Sequence, residues 1–195
     1  MLSLYLSMAA FSLASSISPG PVNITALSAG MGYGFRATLS HVVGATVGFT
    51  LLLIGIGFTV QAAGDHLPGL IAFLRWAGAA FLLYMAYRLW GDSGQISASE
   101  RGNRPSAWTG ALMQWLNPKA WMASAAGMGL FAAEGSSARV LVFAAIFFSL
   151  CLFSIGCWAY AGAFLGRLVR DAGRVRLLNR GLALLLAVSA MALLV

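Results

Sequence analysis

The sequence predicts an all-α membrane protein of six transmembrane helices, built as two inverted three-helix repeats whose spans 1 and 4 are broken at proline motifs. Three observations carry this expectation. Of the 195 residues, 60% are hydrophobic and only 9% charged, at a mean hydropathy of +0.85, whereas soluble domains carry about 25% charged residues. Six apolar runs are each long enough to cross the hydrocarbon, which takes roughly 20 helical residues. A polar residue followed by proline recurs once in each half, in SISPGPVN (16–23) and in QWLNPKAW (114–121).

Span 1 covers about 2–31. Its start, MLSLYLSMAAFSLASS, lacks the basic stretch that opens a secretory signal, so it reads as a retained helix. Pro19-Gly20-Pro21 interrupts it, because each proline removes an N–H and clashes with the preceding turn, leaving carbonyls unpaired. Span 2, about 38–63, opens on LSHVVG. The unperturbed pKa of a histidine, about 6.5, would suit His41 to proton coupling, while the plainer expectation is a histidine at the polar end of its span. Span 3 covers about 68–90, and the link GDSGQISASERGNRPS (91–106) follows, bracketed by Trp90 and Trp108 as interfacial tryptophans would be. This link divides a first repeat, 1–90, from a second, 108–195, with 91–107 as the linker. Span 4, about 108–132, holds Asn117-Pro118 and Lys119, the one lysine of the chain. Span 5, about 138–165, holds Cys151 and Cys157, whose spacing sets them on largely different faces of a helix and too far apart for an easy disulfide. They read as buried small apolar residues. Span 6 covers about 177–195. Gly30 and Gly34, Gly44 and Gly48, and Gly162 and Gly166 stand at helix-packing spacing and make a homodimer plausible.

Twelve basic residues against five acidic ones give a net charge of +7. The arginines cluster in short links between apolar runs, the pattern of residues retained on the cytoplasmic side of a membrane, so no nucleic-acid partner is expected. The links after spans 1, 3 and 5 hold nine of them: Arg36, Arg88, Arg101, Arg104, Arg167, Arg170, Arg174, Arg176 and Arg180. Only Arg75 and Arg139 fall on the other side. Nine against two puts the odd-numbered links in the cytoplasm and both termini outside it. With three spans to each half, the second half must lie upside down relative to the first.

A shift of 99 residues aligns Pro19 with Pro118, and also Gly30 with Gly129. Inverted repeats with helices broken at corresponding positions point to a transporter's binding site. Each unpaired backbone group costs several kcal/mol in hydrocarbon, so such breaks survive only where they line a polar cavity or are buried in protein. The half-helix that restarts after each break offers free N–H groups and a positive dipole end, where an anion can be held. Lys119 lies about eleven residues into span 4, where a lysine costs about 2.5–3.5 kcal/mol. The alternative is a span 4 that starts later, with Lys119 at the outer interface. Asp65, Asp92, Glu100, Glu134 and Asp171 all fall in links or at their edges, so a substrate carboxylate would supply the partner that Lys119 lacks. The expected binding residues are Ser18, Pro19, Gly20, Pro21, Asn23, Asn117, Pro118 and Lys119, and the proton-coupling candidates are His41 and Lys119. Trp115 and Trp121 flank the second motif and either shape the pocket or, the plainer expectation, face lipid or another helix. No catalytic residue, metal or cofactor is expected.

The stretch SPGPVNITALSAGMGYGFRATLSHVVGATVGF (18–49) resembles the first-repeat signature of the LysE/RhtB family of amino-acid exporters, and QWLNPKAW resembles its second-repeat motif. RWAGAAFLLYMAYRLW (75–90) and CWAYAGAFLGRLVRDAGRVRLLNRGLALLL (157–186) are similar to the branch that exports cysteine and O-acetylserine. The likeness runs through nearly the whole chain. It implies a multi-pass exporter of amino acids or derivatives in a bacterial-type inner membrane, driven by proton exchange. Pro19, Gly20, Pro21, Asn117, Pro118 and Lys119 match the family's motifs. Many members follow Pro-Gly-Pro directly with Asp or Asn; here Val22 takes that place and Asn23 comes next, so an acid that would couple protons there is missing. The lack of intramembrane carboxylates favours neutral amino acids over cationic ones. Rival readings are a thiol–disulfide carrier, disfavoured because both cysteines lie in span 5, a channel on the same fold, and a Ser–Lys hydrolase using Ser18 or Ser124 with Lys119.

Overall fold

The computed structural model describes residues 2–63, 106–131 and 137–168 continuously, with single positions between 76 and 91 and between 173 and 191. Most of spans 3 and 6, residues 92–105 of the linker and the five acidic residues lie outside the described residues. Every continuous element is helical: α1 (Leu2–Ile17), α2 (Pro21–Tyr33), α3 (Phe35–Ala63), α4 (Ala107–Trp115), α5 (Pro118–Phe131) and α6 (Ser137–Leu168). These six helices occupy four of the expected spans. Helices α1 and α2 fill span 1, α3 fills span 2, α4 and α5 fill span 4, and α6 fills span 5. By length and composition α3 and α6 can each cross a membrane, and α1 with α2 makes a third such stretch, bent by 58° between them.

Local chemistry sets the helix ends. α1 stops before Pro19 because neither proline can continue its hydrogen-bond ladder. α2 restarts with Pro21 at its first helical position, where a missing N–H costs nothing, and the Gly20 carbonyl accepts from Ile24 N at 2.9 Å. It ends at Gly34, whose φ of 84° lies in the left-handed region. That single glycine joins α2 to α3. Ser106 and Thr109 cap α4 reciprocally, each side chain accepting from the other's backbone N–H, at 3.1 and 3.0 Å. Pro118 opens α5 as Pro21 opens α2.

The long helices α3 and α6 pack against each other at the centre, where Phe49 and Phe147 stack with ring centroids 4.4 Å apart. The shorter helices cross over: α1 and α2 pack chiefly on α6, while α4 and α5 pack chiefly on α3. Small residues allow this close approach. A Cβ on Gly30 would meet the Ala159 backbone, one on Gly162 the Leu27 carbonyl, and one on Gly166 the Met31 backbone. Likewise Gly44 and Gly48 of α3 lie against Ala107 and Ala111 of α4. Five of the six glycines read as packing residues are therefore taken up inside the chain. Gly34 is the exception; it makes the turn, and nothing lies near the place a Cβ would take. Gly129, which the 99-residue shift pairs with Gly30, also faces open space.

One further expectation needs adjusting. Cys151 is buried, but Cys157 is exposed on the outer face of α6, and both are free thiols. Trp90 and Trp108 are exposed, as interfacial residues would be. The Arg180 guanidinium sits 5.5 Å above the Trp90 ring, which brings the end of span 3 beside the start of span 6.

Candidate functional site

A helix leaves its last four carbonyls without intrahelical donors, and at the end of α1 the two prolines prevent the next turn from supplying any. Side chains from three other helices do so instead. Asn23 of α2 donates through Nδ2 to Ser16 O at 2.7 Å and to Ser18 O at 2.9 Å. The Trp158 indole of α6 donates to Ile17 O at 3.0 Å. Lys119 of α5 donates through Nζ to Ser18 O and Pro19 O, both at 3.0 Å, and to Ser18 Oγ at 2.6 Å. An ammonium has three hydrogens, so this set satisfies it. The Ser18 hydroxyl in turn donates to Ser15 O at 3.1 Å.

The second break is closed chiefly from within its own half, with one bond to α3. Asn117 caps α5, its Oδ1 accepting from Lys119 N at 3.1 Å and its carbonyl from Ala120 N at 2.9 Å. The Trp121 indole donates to Trp115 O at 2.7 Å, and the Trp115 indole to Gly48 O of α3 at 3.1 Å. Both tryptophans hold backbone and neither lines the adjoining cavity.

That cavity lies where the two breaks meet. Its polar wall comprises Ser15, Ser16, Asn23, Gln114, Asn117 and Lys119; Val22, Phe49, Phe147, Cys151 and Ile155 contribute its apolar wall. Its volume is about 40 Å³, room for about three water molecules at 10–15 Å³ each. Lys119 is the only charged side chain lining it among the described residues.

The sequence-predicted residues separate into groups. Gly20, Asn23, Asn117 and Lys119 line the cavity. Ser18 and Pro19 stand behind Lys119 as its acceptors, and Pro21 and Pro118 are buried at helix starts away from the lining. His41 lies elsewhere. It is 0% exposed rather than at a polar end, because the first turns of α3 are covered by α2 and α4, with Gly110 closing on the His41 carbonyl. Neither ring nitrogen completes a hydrogen bond, although the Val22 backbone lies beside it. Among the described residues, no three His, Cys, Asp or Glu side chains come together as metal ligands would.

Sequence reasoning missed Ser15, Ser16 and Gln114, and also Ser154, whose hydroxyl lies 2.9 Å from that of Ser16. One signal was available. Ser15 and Gln114 are themselves 99 residues apart, each four before the proline of its break. Cys151 and the two phenylalanines gave none, since nothing in an apolar run marks the face that turns toward a cavity.

Residues 13–195 match the family described as LysE type translocator. The chain belongs to that family. This translocator is 32% identical over 187 residues to a protein of Salmonella typhimurium strain LT2 named cysteine/O-acetylserine efflux protein, with 90% of each chain covered. It is 32% identical over 184 residues to the protein of that name in Salmonella typhi, and 30% identical over 184 residues to the one in Escherichia coli K12, again at 90% coverage of each. No solved structure matches it. A translocator is a membrane transporter and not an enzyme. Of the two serines considered beside Lys119, Ser18 touches its amine through Oγ at 2.6 Å, and Ser124 is buried without a partner and outside the cavity lining.

Proposed function

We propose that this translocator exports small neutral amino acids or their derivatives, cysteine and O-acetylserine among them, across a bacterial inner membrane in exchange for protons. In this reading residues 1–90 and 108–195 are inverted repeats joined by a cytoplasmic linker, 91–107, with both termini outside the cytoplasm. α1–α2 and α4–α5 are each one broken span. The crosswise packing of each broken pair on the other half's long helix supports that reading, as do the names of the relatives.

The observation that carries the proposal is the position of Lys119. It is the charged group of the cavity, and its ammonium rests on carbonyls that the first break leaves open. Those neutral acceptors are weaker partners than a carboxylate, because hydrogen bonds between two ionised groups are shorter and roughly twice as strong. A substrate carboxylate entering the cavity exchanges with Ser18 O and Pro19 O for the ammonium. Lys119 and Trp158 are the side chains by which the second half holds the first break, and Lys119 makes most of those bonds, so the exchange loosens one repeat from the other and permits the rocking of alternating access. A cavity with room for about three waters cannot hold the seven heavy atoms of cysteine without widening, which suits an occluded, unloaded state. His41, buried and unbonded one helix away, is the proton carrier in this scheme.

The test is efflux from proteoliposomes preloaded with labelled amino acids. Native protein should give saturable efflux of a neutral amino acid that Lys119→Met reduces at least tenfold. Unchanged efflux in that variant would remove Lys119 from the site, and non-saturable flux without counter-exchange would make the protein a channel.

A further inference from the structure

A zwitterion brings an ammonium group into the membrane as well as a carboxylate, and desolvating a charge is costly unless it is paired or hydrogen-bonded. No carboxylate lines the cavity among the described residues, so amide oxygens are the strongest acceptors there. Asn117 Oδ1 is already engaged by Lys119 N. Asn23 commits both amide hydrogens to Ser16 O and Ser18 O, which fixes its orientation and leaves Oδ1 as the end available to a ligand.

Gln114 is the other free amide. It is 5% exposed, lines the cavity, and lies one turn before the second break. The contact made by its Oε1 is with Asn117 Nδ2 at 3.5 Å, the outer limit of a hydrogen bond. That contact orients the amide without saturating an oxygen that has two lone pairs. Ser15 occupies the matching position four residues before Pro19 and lines the same cavity, so this register faces inward from both broken stretches.

We propose that Gln114 determines specificity, its Oε1 accepting the substrate's ammonium together with Asn23 Oδ1, so that the cavity takes zwitterions and rejects N-acylated amino acids. The inference rests on the export reading above and deepens it. A site with two acceptors set for an ammonium discriminates against an N-acyl analogue, whose single uncharged amide N–H cannot serve both, because one buried polar group is then left unpaired.

O-acetylserine and N-acetylserine test this directly. They are isomers with the same carboxylate and acetyl group, and only the first has an ammonium. Transport of both is measured in proteoliposomes at mildly acidic pH, which keeps the acetyl group on oxygen. Native protein should prefer O-acetylserine by at least about tenfold in KM. Gln114→Met, similar in shape but without the acceptor, should raise the KM for O-acetylserine about tenfold and leave that for N-acetylserine unchanged. Gln114→Glu, which keeps an acceptor, should retain the preference. A folded Gln114→Met that still discriminates as the native protein does overturns the inference, and so does one that weakens both isomers equally. Native protein that moves neither isomer nor any other amino acid overturns the export reading itself, a result distinct from either.

Discussion

The carbonyls from Ser16 to Pro19 are answered by Asn23, Trp158 and Lys119, residues of three different helices. Removing one donor strands a buried carbonyl at a cost of about 1–3 kcal/mol. Trp158→Phe keeps the ring but not the indole N–H, so it should lower the thermal midpoint in detergent by a few degrees while leaving efflux measurable. Lys119→Met strands more acceptors and should lower the midpoint further, a ranking that a thermal unfolding series checks. His41 calls for a different readout. Its buried, unbonded ring predicts that His41→Asn abolishes accumulation driven by an imposed pH gradient while counter-exchange of substrate persists; a variant still driven by the gradient would place the proton elsewhere. Lys119 was legible in the sequence because a lysine deep in an apolar run is costly wherever it goes. Its acceptors were not, since a backbone carbonyl carries no residue signature and Ser18 lies 101 residues away.

Breaks and contacts between helices behave differently at the level of elements. The proline motifs located both interruptions to within a residue or two, because a missing N–H acts locally and needs no tertiary partner. The glycine pairs were less informative. A spacing of four describes Gly30 and Gly34 as well as Gly44 and Gly48, yet Gly34 forms the α2–α3 turn and packs against nothing. The distinction lies in φ and in which backbone stands opposite, and neither is written in spacing. Gly44→Ala and Gly30→Ala should each force a helix pair apart and cost about 1–3 kcal/mol, seen as lost folded yield from membranes. Gly129→Ala, at the position the 99-residue shift pairs with Gly30, meets open space and should be neutral or stabilise by about 0.5–1 kcal/mol. Equal damage at Gly30 and Gly129 would contradict the packing described here.

Across the whole molecule, each half's short helices rest on the other half's long one. The doubling of the motif was readable from the chain. The crossing over was not, because apolar faces toward lipid and toward another helix look alike in sequence. It predicts that residues 1–90 and 91–195, expressed as separate chains, are each degraded when alone and recover efflux when expressed together. Stable accumulation of 1–90 by itself would count against the crossed arrangement. The carbonyls at the end of α1 also set an order of events during synthesis. Ile17 waits for Trp158, 141 residues later in the chain, which at 5–20 residues per second is roughly 7–30 s. Until Lys119 is made the first break has no partner from the second half, and until Trp158 is made Ile17 O still has none, so water, lipid headgroups or the insertion machinery must stand in. The nascent protein is therefore most exposed to quality control before its own C-terminal half arrives, and a pause in translation within residues 91–157 should lower yield more than an equal pause after them.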